Sequence, residues 1–346
     1  MAGEESVARR RAVLLWSGIG VLLLVAFAAA FGAVQRTYYS ASGFVTAYVG
    51  ALAAHDLPSA LSMPGAAPTA ASLTASGLPA NASRELLRSD VLPELSDVSV
   101  LSDRTEPTGA HTVTVRVLSD GQPVTATFSV KRSGSVLGFL PTWAFATSPL
   151  TVAHVTVAHA DAFTLGAHTL QPRAAAPDQP ADAFTVSADY VMPAPARYRF
   201  THRSAMLAAA PAVLEARPGK VTETTVDAEP TPAFTGEVDK QLRGFLDACV
   251  KQTVLQPAGC PMGAQIDDRV QGDPHWSMVS YPPVHLAAGP TGWVMPQTVG
   301  VAHLSASVQS LFDGTVSQRE SDEQFAVSLT SVVIRPDGSL DIIVGD

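Results

Sequence analysis

From Ala12 to Val34 the chain runs without a charged residue, after Arg9-Arg10-Arg11 and before Arg36. A helix rises about 1.5 Å per residue, so roughly 20 apolar residues cross about 30 Å of hydrocarbon. By length and hydropathy the stretch predicts one transmembrane helix over residues 12–34, with residues 1–11 as a cytoplasmic tail. Arginines crowd its N-terminal side, and only Arg36 follows closely. The charge bias therefore predicts a single-pass cell-membrane protein, N-terminus cytoplasmic and C-terminal domains extracellular. The competing assignment is a cleaved signal peptide, because Ala28-Ala29-Ala30 offers a small-residue site. The apolar run continues through Phe31 and Val34, longer than a signal core needs, which favours an uncleaved anchor.

Net charge is −9; residues 1–36 hold four arginines against two glutamates, so the remainder carries −11. Such an acidic balance excludes nucleic acid as an expected partner. Beyond the membrane itself (integral, one span), a protein or wall component of the cell envelope is the partner class left open. Cys249 and Cys260 are the two cysteines. Ten residues lie between them, and in an oxidising compartment they most simply form one disulfide. A metal pair is the alternative, though no His or Cys at ligand spacing completes four ligands.

Ser40–His55 predicts a helix with Phe44, Val45, Tyr48, Val49 and Leu52 on one apolar stripe, followed by a short helix at Leu57–Met63. Pro64–Pro79 reads as a loop and Ala82–Leu92 as a third helix. Thr112–Leu118 and Val124–Val130 alternate apolar and polar residues about an Asp120-Gly121 turn. Strands near Val98–Leu101 and Leu140–Phe145 complete an antiparallel sheet. Helices followed by meandering strands predict an α+β unit over 38–147.

Val45, Tyr48, Ala51, Leu52 and Asp56 in the stretch SASGFVTAYVGALAAHDLPSALSM resemble the opening helices of the ketosteroid-isomerase-like superfamily of cone-shaped α+β domains. That resemblance covers residues 38–147. It implies a cone whose interior either is packed or holds a small ligand, and it carries no particular reaction.

Short strands at close spacing predict a small all-β sandwich over 148–228, and Asp227–Pro232 reads as a linker. Over 233–346, a helix Gly236–Val254 capped by Thr235, the cysteine connection and long strands predict a second helix-on-sheet unit. The expected fold class is thus α+β, one membrane helix followed by three outer units. In order of parts the chain is similar to single-span envelope proteins of the actinobacterial type.

Candidate chemistry is sparse. His154 and His159 lie five apart on an expected strand and so point to opposite faces, which rules out joint chelation. His275, His285 and His303 are scattered, and Asp267-Asp268-Arg269 with Asp273 lacks the six to eight oxygens calcium wants. Arg197, Arg199 and Arg203 share one strand face opposite Tyr198, Phe200 and His202, a candidate contact for an anionic group. No catalytic, metal or cofactor motif occurs. Three functions compete: a non-enzymatic envelope interaction or structural protein, a ligand-binding or enzymatic cone, and a regulatory single-span protein acting through its outer part.

Overall fold

The computed structural model describes Trp16, Ile19 and residues 21–26, 39–137, 140–180 and 183–345. Most of the expected span, residues 12–34, lies outside the described residues; Trp16, Ile19 and residues 21–26 are helical and exposed. Among the described residues no helix is long and apolar enough to cross a membrane. The longest, an 18-residue helix over Pro232–Cys249, carries Glu237, Asp239, Lys240, Arg243 and Asp247. Its apolar residues form one stripe rather than the apolar sleeve a span needs. This overturns the expectation of a single-pass membrane protein with its C-terminal part outside.

The fold class is corrected as well. Strands take 48% and helices 19% of the described residues, so the protein is mostly β rather than α+β. Three sheets carry it.

The first sheet is an antiparallel meander of β1 (Leu95–Thr105), β2 (His111–Ser119), β3 (Gln122–Val136) and β4 (Leu140–Phe145), in that order. Alternation in β2 and β3 turns Val113, Val115, Val117, Phe128 and Val130 inward, and all are buried. Asp120 and Gly121 both take positive φ (48° and 73°), the mirror-image turn that suits the strand twist. Helix α1 (Ala41–Ala53) is capped by Ser40 Oγ, which accepts from Gly43 N at 3.0 Å. Its Tyr48 ring packs on Phe128 and Phe145 at 5.9 and 5.1 Å. Asp56 caps α2 (Leu57–Ser62), accepting from Ser59 N at 3.1 Å while exposed.

Two local expectations fail here. A short helix α3 (Ala70–Ala75), capped by Thr69, occupies the stretch expected to be loop. Over Ala82–Leu92 only a 3-10 turn forms, Ser89–Val91. The reason is tertiary: Ser83 N donates to Asp189 O, and its carbonyl accepts from Val191 N, each at 2.8 Å. A sheet-edge pairing of this kind consumes the backbone groups a helix would use.

The second sheet holds β5 (Leu150–Ala158), β6 (Phe163–Leu165), β7 (His168–Leu170), β8 (Thr185–Pro193), β9 (Ala196–Arg203), β10 (Leu207–Ala216) and β11 (Val221–Pro230). A small helix α4 (Pro172–Ala175) falls between β7 and β8. Their order is β7-β6-β9-β10-β11-β5-β8, and β11 runs parallel to β5. The expected linker is thus the end of a strand: Asp227 pairs with Ala158, and Pro230 with Leu207. First and second sheets share one apolar core, in which Val115 and Phe128 cluster with Val155, Tyr190 and Phe200.

The third sheet comprises β12 (Arg269–Ser280), β13 (Ala287–Ala288), β14 (Trp293–Gln309), β15 (Val316–Ile334) and β16 (Leu340–Gly345). Helix α5 (Pro232–Cys249) is capped by Thr231 rather than Thr235 and buries Phe234, Val238, Leu242, Leu246 and Cys249. Cys249 and Cys260 are disulfide-bonded, with Cα atoms 5.8 Å apart. The bridge ties the end of α5 to the connection whose Val254 carbonyl accepts from Trp276 Nε1 at 2.9 Å. Opening so short a loop should cost about 3 kcal/mol in the chain-entropy account. Cys260→Ala is expected to lower the urea midpoint accordingly, and an unchanged midpoint would remove the bridge from the stabilising contacts.

Candidate functional cleft

Where the second sheet meets the third, the ends of two parallel strands create a cleft. β5 stops at Ala158, and His159 takes φ +64° as its N–H donates to Phe184 O at 2.9 Å. Left-handed backbone is uncommon for a residue with a Cβ and costs on the order of 1 kcal/mol or more. Its ring is held from several sides. Nδ1 lies 2.8 Å from Asp227 Oδ1, placed there by the β5–β11 register. The carboxylate therefore takes the Nδ1–H of the ring as its donor and sets the ring's orientation.

The other contacts are aromatic. The His159 ring centroid lies 4.9 Å from Phe184 and 5.6 Å from Trp293. Phe184 meets Trp293 edge-on at 5.5 Å, and Phe234 of α5 meets Trp293 at 6.1 Å. This cluster joins the second sheet to the third and forms the cleft wall. Asp227 and Glu229 are exposed on the same face of β11, with Thr224, Val226 and Ala228 buried behind.

Opposite stand Val284, His285, Leu286, Ala287 and Ala288, and the cleft encloses about 490 Å³. That is the size of a small-ligand or side-chain site. Among the described residues two carboxylates and two histidines line it, with no lysine or arginine.

Compared with protein-family models, with curated proteins and with solved structures, the chain gives no match.

The chemistry must therefore come from the residues themselves. A His–Asp pair becomes nucleophilic machinery when a hydroxyl or thiol sits within reach of the second ring nitrogen. Among the described residues the hydrogen bonds of His159 include no such group. Nor is any set of three or more His, Cys, Asp or Glu there arranged to hold a metal.

Arg197, Arg199 and Arg203 do share one face of β9, with Arg199 and Arg203 exposed and Arg197 half-buried. Arg197 stands opposite Glu215 on β10, so the row is not purely cationic. His154 pairs with Asp189 across β5 and β8 at 2.7 Å. Both His–Asp pairs were beyond sequence reasoning, because strand register rather than spacing brings the partners together.

His303 occupies a further such arrangement on the β14–β15 hairpin, as His111 with Asp103 and His168 with Asp90 do elsewhere. Nδ1 lies 2.6 Å from Asp322 and Nε2 2.8 Å from Glu320, which also accepts from Ser305 Oγ at 2.8 Å. Two carboxylates facing both ring nitrogens are satisfied together only by the imidazolium. Hydrogen bonding to Asp322, then to Glu320, raises the His303 pKa above its ordinary value. A group whose folded pKa is raised stabilises fully below its unfolded pKa and loses that contribution as pH rises through the folded one. An NMR titration is expected to place the His303 midpoint above the ordinary histidine value, with Asp322→Asn moving it down. A midpoint unchanged by Asp322→Asn would contradict this.

Proposed function

We propose that the protein is a non-catalytic interaction protein that engages a partner protein at the cleft between its second and third sheets. The observation that carries the reading is the contrast between two interiors. Beneath α1 the space that a ligand-holding cone would keep open is occupied by Tyr48, Phe128 and Phe145, all buried, with Val113, Val115 and Val117 around them. The ionisable side chains in that core include Tyr48 and Tyr198, and burial pushes the pKa of each far up, which keeps both neutral. Asp56 is spent on a helix cap at the surface. The cleft, by contrast, is open and polar on one side, aromatic on the other, and braced by a rigid seam. Interfaces favour that combination of aromatic anchor and polar rim.

The test uses the full chain, crosslinked and isolated from its own cells. Ala287 is exposed in β13, so Ala287→Arg obstructs the cleft without disturbing the core. A partner retained in stoichiometric amount by the unmodified protein and by Asp56→Asn should be lost from Ala287→Arg. Retention by Ala287→Arg with loss from Asp56→Asn would move the function to the first sheet.

A further inference from the structure

We infer that the group received by this cleft is a cation, the ammonium or guanidinium of a lysine or arginine side chain on the partner protein; this rests on the binding role proposed for the cleft. Asp227 and Glu229 stand two residues apart on one strand, so both carboxylates project from the same face toward the cleft. Asp227 gives one oxygen to His159 Nδ1 and keeps the other. Trp293, 5% exposed, closes the back of the cleft, which keeps the two carboxylates beside a low-dielectric wall.

Two positive features compete and both are too small. The N-terminus of α5, next to Pro230, carries roughly half a unit charge, against two for the carboxylates. Thr231 Oγ1 already accepts from Phe234 N there. Arg203 shares the sheet face, because Ala208 pairs with both Arg203 and Glu229. Two strand spacings put it roughly 10 Å from Glu229, about one Debye length at moderate salt. Of the two histidines, His159 directs its Nδ1 at one Asp227 oxygen, and His285 stands on the opposite wall.

The probes are three capped tripeptides added to the full chain: acetyl-Gly-Lys-Gly-amide, its norleucine counterpart and its glutamate counterpart. The readout is the NMR signals of the Trp293 indole and of the Ala287 and Ala288 amides. The lysine peptide should shift all three signals saturably, and the other two should not. Asp227→Asn and Glu229→Gln should each weaken it about two- to five-fold, as expected for exposed ion pairs, and added salt should weaken it further. Asparagine still offers His159 an acceptor, so the cleft keeps its shape. Equal binding of the norleucine peptide would overturn the cation and leave the cleft a binding site. Silence of all three peptides, with partner loss in Ala287→Arg, would overturn the cation alone. Silence together with partner retention in Ala287→Arg would overturn both.

Discussion

Val115→Asp is expected to unfold the first and second sheets together. Val115 is completely buried at the centre of β2, and the core it belongs to runs without interruption into Val155, Val157, Tyr190 and Phe200 of the second sheet. An aspartate there has no cation to meet it, so the substitution leaves a charge or an unpaired carboxyl in apolar packing. Such a change costs about 5 kcal/mol or more, against a total stability of about 5–15 kcal/mol. The shared core makes the loss cooperative. Hydrogen exchange should show protection vanishing across residues 41–226 as one unit, whereas loss confined to residues 95–145 would separate the two sheets.

Trp293→Ala should produce the second large effect. The indole is 5% exposed and touches His159, Phe184 and Phe234, and among the described residues it is what brings Phe234 of α5 into that aromatic group. Removing a buried indole costs about 3–5 kcal/mol where surrounding atoms cannot close the gap. Here the neighbours belong to β-structures fixed by their own ladders, so relaxation is limited. Denaturant unfolding should show a loss in that range, and the cleft should lose its wall. A loss under about 1 kcal/mol would mean that the two sheets are held by other contacts.

Sequence and structure agree where the determinants are local. Val113, Val115 and Val117 announce β2 by alternation, Asp120-Gly121 announces its turn, and Ser40 announces the start of α1. The disulfide followed from two cysteines at short spacing. Disagreement arises where distant backbone decides. Ala82–Leu92 has helical composition, yet Ser83 pairs with the edge of β8. β11 hides among Asp, Glu and Pro, although Thr224, Val226 and Ala228 alternate within it. With the end of β11, from Asp227 onward, read as part of a linker, nothing places Asp227 beside His159, 68 residues earlier. The cleft is therefore not legible from spacing along the chain. The mostly-β class is hidden in the same way, since strands such as β15 mix charged and apolar residues over long lengths. The expected span rests on an uncharged apolar run and its flanking arginines, and most of that run lies outside the described residues.

The central claim is that partners dock at the cleft and not on the helices covering the first sheet. Hydrogen exchange of the full chain with and without its crosslinked partner tests this directly. The account predicts new protection at residues 227–230 and 284–294, with residues 41–62 unchanged. Protection concentrated in residues 41–62, with the cleft segments unaffected, would contradict it.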